Sequence, residues 1–211
     1  AISICFLSFH TLSQTIDLGV GMGYAYIVAP SRYVNAITNF GYGFAQSFPL
    51  TVSAIYTTAD ERFSFCASSV YQRLSSKAFR PPHPIVYASP LRPGEVENES
   101  AIWSGSFGMQ WPLFRSDPTL HLAVGLLLSS FGDVTTTEGT YRGDYQTSNP
   151  GRIRAGFSAG AGFTVPIIFK TSISIDAKYV FHSLFGRARG EQSVNSIQLI
   201  GNVFFPIWSG I

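Results

Sequence analysis

Ile16–Val28 reads IDLGVGMGYAYIV, and its even positions are all large and apolar: Ile16, Leu18, Val20, Met22, Tyr24, Tyr26 and Val28. Between them stand Asp17, Gly19, Gly21, Gly23 and Ala25. Successive side chains of a strand point to opposite faces, so this alternation reads as a strand with one greasy and one thin face. The helical period of 3.6 residues does not fit it.

The same period recurs along the chain. Phe40, Tyr42, Phe44, Phe48, Leu50, Val52 and Tyr56 form a second stripe, and Phe63, Phe65, Ala67 and Tyr71 a weaker third. Trp103, Phe107, Met109, Trp111 and Leu113 make the fourth, and Leu120, Leu122, Val124, Leu126 and Leu128 the fifth. The remaining three run over Ile153–Val165, Ile173–Phe181 and Ile197–Phe205. The connections alternate in length. Thr57–Arg62, Phe114–Pro118 and Ile167–Lys170 are hairpin-sized, whereas Pro30–Ala36, Ser75–Ser100, Gly132–Gly151 and Gly186–Gln192 are longer and hold most of the charges. An aromatic residue or Val, then Pro, then Leu or Ile, recurs at Pro49, Pro112, Pro166 and Pro206, which suggests a shared rim, with Pro49 awkwardly early in its stripe.

Alternation fits a soluble barrel with apolar residues inside or a membrane barrel with them outside, and charge decides between the two. Only 12% of the 211 residues are charged, about half the share of a soluble domain. A soluble barrel loads its polar face with Lys and Glu, but here that face is Gly, Ser, Thr and Asn, suited to a narrow lumen. The expected fold is therefore an eight-stranded antiparallel up-and-down transmembrane β-barrel, its long loops on one rim and its tight turns on the other. Residues 33–59 carry no charge, yet Asn35, Asn39, Gln46 and Pro49 within them argue against a spanning helix. Tyr24, Tyr26, Tyr56, Trp103, Trp111 and Tyr179 are the expected membrane-interface aromatics.

Residues 1–13 open on an apolar run, Ala1–Phe9, and Thr11 and Ser13 stand at −3 and −1 of a possible cut before Gln14, as in the tail of a signal peptide. The barrel is expected over residues 14–205, with 206–211 as a C-terminal extension. Cys5 and Cys66 are too few and too far apart for a disulfide framework or a metal site. A net charge of +2 without a basic stripe gives no argument for nucleic acid.

The last hairpin, Ile173–Tyr179 followed by Val194–Phe205, resembles the closing strands of the small bacterial outer-membrane β-barrels, the family of the outer membrane protein A transmembrane domain. In that family the final strand ends in an aromatic assembly signal, which Phe205 matches, although Pro206–Ile211 follow it here. The resemblance implies a place in the bacterial outer membrane, periplasmic termini, extracellular long loops that could meet a ligand, and handling by the barrel-assembly machinery.

Candidate chemistry is sparse. Gly19–Gly23 lacks the G-x-G-x-x-G spacing of a nucleotide loop and reads as space inside the ring. Asp17, Arg154, Asp176, Lys178 and His182 fall on the lumen face as a charge cluster, read as structural ion pairing ahead of a gated ion path. His121 shares that face nearer the other end, which makes a metal site with His182 improbable. Glu95, Glu97 and Glu99 read as solvated surface. Some barrels that resemble this chain deacylate lipid A with Ser, His and an acid near the last loop, which brings His182, Ser183 and Glu191 into question. Adjacent strand residues face opposite ways, so Ser183 should point to lipid unless the strand bulges. No catalytic residue, cofactor or metal is expected. The leading function is a non-enzymatic barrel with a structural or surface-recognition role through its loops, ahead of a narrow solute or ion channel and a deacylase-like hydrolase.

Overall fold

A computed structural model describes residues 14–29, 43–58, 62–80, 94–114, 117–138, 141–143, 153–167, 170–186 and 193–209. Ten strands run through them: β1 (Thr15–Ala29), β2 (Gln46–Thr57), β3 (Ser64–Arg80), β4 (Gly94–Phe114), β5 (Thr119–Phe131), β6 (Thr135–Glu138), β7 (Tyr141–Gly143), β8 (Ile153–Pro166), β9 (Ser172–Phe185) and β10 (Asn195–Ser209). Each of the eight long strands coincides with one of the stripes. They pair in the order β3-β2-β1-β10-β9-β8-β5-β4, and β4 returns to β3, so the sheet closes on itself as an eight-stranded antiparallel barrel. Closure leaves no edge around the wall, so the strands find their ladder partners within the ring.

The apolar stripes face outward. Leu18, Val20, Met22, Leu50, Val52, Leu122, Val124, Leu199 and many like them are exposed, with Phe48 at 72% and Leu126 at 73%. Ser47, Thr51, Ser104, Ser129, Ser174, Asp176, Gln198 and Asn202 are buried on the opposite parity, inside the ring. This is the inverse of a soluble barrel. Among the described residues no helix is long and apolar enough to cross a membrane.

Glycines on the lumen face make the space their pattern suggested. A Cβ at Gly19 would run into the Phe204 ring, which is folded into the lumen. The hairpin connections Thr57–Ser64, Phe114–Thr119 and Pro166–Ser172 lie on one rim, and the long connections leave from the other. At the long-loop rim β3 and β4 outrun the wall, pairing as far as Arg80 with Gly94, and β6 and β7 add to the projecting part of β4.

Three details depart from the sequence reading. Phe44 shares the parity of outward Phe48 but is fully buried, because Gly43 at φ 73° turns the chain before β2 begins; Phe40 and Tyr42 lie outside the described residues. Pro112, Pro166 and Pro206 do sit near the turn rim, the first and last at register shifts where a missing N–H costs no ladder bond. Pro49 does not: it is buried near the opposite end of β2. Finally, β10 continues through Ser209, which pairs with Thr15, so residues 206–209 belong to the wall rather than to an extension. Residues 1–13 lie outside the described part of the chain.

Candidate functional site

The lumen is built in three tiers. Nearest the turn rim, Asp176 Oδ1 lies 2.8 Å from His121 Nε2, and its Oδ2 accepts from Ser174 Oγ at 2.9 Å and Asn202 Nδ2 at 3.2 Å. A carboxylate that accepts from two neutral donors at one oxygen acts as acceptor at the other as well, so Nε2 carries the proton. Both residues are buried, and a buried charge persists only when paired in this way.

The middle tier surrounds His182. Its Nδ1 lies 2.8 Å from Ser129 Oγ and its Nε2 3.3 Å from Ser196 Oγ, with Ser129 also 2.9 Å from Ser104 Oγ. Buried Arg154 donates to Ser183 Oγ at 3.2 Å, and its guanidinium lies 4.5 Å from the Phe131 ring centroid, within cation–π range. Ser183 corrects the expectation that it faces lipid. On β8 the pairing steps from Ala155↔Phe185 to Phe157↔Phe181, so β9 carries two extra residues in a bulge. That bulge brings His182 and Ser183 both inside, where each is fully buried. Gly156 makes it possible, since a Cβ there would strike the Phe181 carbonyl.

Above the polar tiers the lumen is dry. Ile27, Phe44, Leu74, Ile102, Phe131, Val134 and Val194 form one buried apolar cluster: Ile27 and Phe131 lie near the loop ends of β1 and β5, Phe44 and Val194 just before β2 and β10, Val134 just after β5, and Leu74 and Ile102 within β3 and β4 at the last rungs these make with β2 and β5. Below this plug three cavities follow one another, of about 40, 50 and 280 Å³ toward the turn rim. Neighbouring cavities share lining residues, Lys178 between the upper two and Gln110 between the lower two.

All five residues of the expected charge cluster are thus on the lumen side, but they do not converge. Asp17 lines the lowest cavity, Lys178 the middle ones, and Arg154 and His182 stand beneath the plug. The hydrogen bonds of Asp176 go to His121, Ser174 and Asn202 rather than to Lys178 two residues on. Spacing along a strand could not reveal this, because His121 reaches Asp176 across β8. The plug was not read from the sequence, although Ile27, Leu74, Ile102 and Phe131 carry a signal for it as apolar residues on the lumen parity of four strands.

On the outer wall, Tyr24 donates to Gln46 Oε1 at 2.6 Å, and Trp103 Nε1 donates to Ser69 Oγ at 2.9 Å beside an edge-on Tyr71. Tyr24, Tyr26 and Trp103 are exposed toward the loop rim. Trp111 is exposed and Tyr56 stacks on Phe65 toward the turn rim. Tyr179 is exposed halfway along β9, and Phe205 faces outward opposite Leu18. Beyond the aromatics, Arg73 pairs with Glu99 at 2.5 Å on the outer face. From Trp103 to Trp111 the strand rises about 26 Å, or about 20 Å along the axis of a tilted barrel, close to the ~25 Å apolar band of such walls. Among the described residues no group of three metal-ligating side chains converges.

The sequence matches no family model and no curated protein. Among solved structures, similarity is found to Neisserial surface protein A, at 11% identity over 91% of this chain and 95% of that one, with a TM-score of 0.48. The attachment invasion locus protein Ail of Yersinia pestis, solved with the heparin analogue sucrose octasulfate, aligns at 12% identity over 92% of this chain and 98% of that one, with a TM-score of 0.42.

Proposed function

We propose that this chain is a non-enzymatic integral barrel of the bacterial outer membrane, with its termini in the periplasm, whose long loops carry surface recognition. The observation that carries the reading is the pairing of an outward apolar belt with a lumen plugged at the loop rim. An exposed wall of Leu, Val, Ile and Phe needs acyl chains as its solvent, and the aromatics near both rims suit the headgroup level. Outer-membrane lipid is then its permanent partner. Phe205 serves as a signal to the barrel-assembly machinery in the same reading, although β10 runs past it.

The plug weighs against the channel alternative. A path for ions must be wet along its length, and a dry cluster seven side chains strong excludes water and charge. The geometry of His182 weighs against the hydrolase. Its ring nitrogens meet two serine hydroxyls, no carboxylate among the described residues orients it as a catalytic base requires, and it is fully buried. Glu191 lies outside the described residues.

Reconstitution in planar bilayers tests the reading. The folded protein, verified by a heat-modifiable gel shift, is expected to give no reproducible single-channel steps and no release of fatty acid from lipid A. Regular conductance steps would overturn the sealed lumen, and a protein monomeric in detergent-free buffer would overturn the membrane placement.

A further inference from the structure

Lys178 stands inside the barrel, midway along β9, without a counter-ion. Among the described residues its ammonium makes no hydrogen bond and has no carboxylate within ion-pairing distance. Asp176 lies two positions away on the same face, yet its oxygens are taken by His121, Ser174 and Asn202. The Lys178 side chain crosses Gly160 of β8, where a Cβ would come within 2.9 Å of its Cγ. Its nitrogen is not sealed in. The buried side-chain atoms that lack a partner among the described residues belong to Ser47, Gln72, His121, Asn195 and Asn202, so the unpartnered ammonium keeps surface open to the lumen.

That surface faces the neck between two cavities of about 40 and 50 Å³. Ser68, Ser106, Ser158, Lys178 and Asn202 line both of them. Ser68 and Ser106 share a hydrogen bond at 2.7 Å, in which one hydroxyl donates and the other keeps its own proton unspent. Ser158, half-buried, makes no hydrogen bond among the described residues. The Nδ2 of Asn202 is engaged by Asp176 and Ser174. Among the residues lining the two cavities Asp176 is the one carboxylate, and the one other titratable ring, His182, is bonded to Ser129 and Ser196.

The neck thus gathers a positive charge and free hydroxyl donors around a small space. An ammonium has three donors and no acceptor, so what sits against it must accept. Water and an anion both qualify on hydrogen bonds, and charge separates them, because a cation set in a low-dielectric wall without a counter-ion gains more from an anion than from a dipole. Size limits the anion, since cavities of this volume admit a monatomic ion or a few waters and little more.

We propose that the neck at Lys178 is a halide site, filled by chloride, which the ammonium holds together with the hydroxyls of Ser158 and of the Ser68–Ser106 pair. The ion supplies the counter-charge that Asp176, committed to His121, does not. It is held rather than conducted, since the plug stands between the neck and the loops. The site goes beyond the surface role of the loops and does not depend on it.

Two measurements on the full folded chain in micelles test the site. Crystals grown in sodium bromide should show an anomalous bromide peak at the Lys178 ammonium. Urea unfolding at constant ionic strength should have its midpoint at higher urea in sodium chloride than in sodium gluconate, whose anion is too large for the neck, because a ligand bound by the folded state alone stabilises it. Lys178→Met should abolish both the peak and the chloride dependence, whereas Lys170→Gln, at an exposed turn, should change neither. Ser158→Ala keeps the charge and should weaken the halide about tenfold or more, which gives an answer even where Lys178→Met fails to fold. A water in place of bromide, equal midpoints in chloride and gluconate, a chloride dependence that survives Lys178→Met, or an affinity unchanged in Ser158→Ala would each overturn the site. Conductance of the parent protein tests the plug and is read separately.

Discussion

The guanidinium of Arg154 lies 4.5 Å from the centroid of the Phe131 ring, and through that contact the polar lumen meets its apolar cap. The edge of His182 approaches the same ring at 6.0 Å. Phe131 is therefore wedged between two basic side chains below and the plug residues around it. Phe131→Ala removes the wedge. We expect conductance steps in planar bilayers where the parent is silent, with a stability loss of about 3–5 kcal/mol from the lost burial. A silent, fully folded variant would place the barrier elsewhere.

The outward wall is tested by charge at two depths. Leu126, 73% exposed in mid-strand, should cost about 2–4 kcal/mol as Leu126→Arg in a bilayer, and Phe114→Arg at the turn rim only about 0–1 kcal/mol. Urea unfolding in liposomes reads both. Equal costs would mean that the belt does not lie where the exposed residues put it.

Asp176→Asn exchanges a charged acceptor for a neutral one under His121. Hydrogen bonds to charged groups contribute about 1.5–3 kcal/mol each, so a loss in that range is expected on urea unfolding. The double variant His121→Phe with Asp176→Asn should lose less than the two single losses added, because both remove the same bond.

Ser183 accepts from Arg154 and from the Val194 backbone N–H. Ser183→Ala removes only the hydroxyl and strands the two N–H groups that donate to it, and about 1–3 kcal/mol of destabilisation is expected for each left unsatisfied. A Ser183 facing lipid would make the same change neutral, so thermal unfolding of this variant checks the bulge directly.

The barrel itself was plain in the chain because period two survives wherever one face meets lipid and the other a lumen; a one-residue slip would turn Leu126 inward and Ser129 out. What stayed hidden is local or crosses strands. Phe44 departs from its stripe through the backbone at Gly43, and Ser183 through a bulge whose cause, close approach at Gly156, lies on the neighbouring strand. The His121–Asp176 bond depends on register across β8, which hydropathy does not encode. The plug residues carried a signal in the sequence as breaks in alternation.

A tube closed at one end has a single bath. With Ile27, Phe44 and their neighbours sealing the loop rim, the difference in pH or ion content between the two sides of the membrane falls across one thin apolar layer. His121, Asp176 and Lys178 stand on the near side of it. They line or adjoin cavities that follow one another toward the tight turns, with the plug between them and the loops.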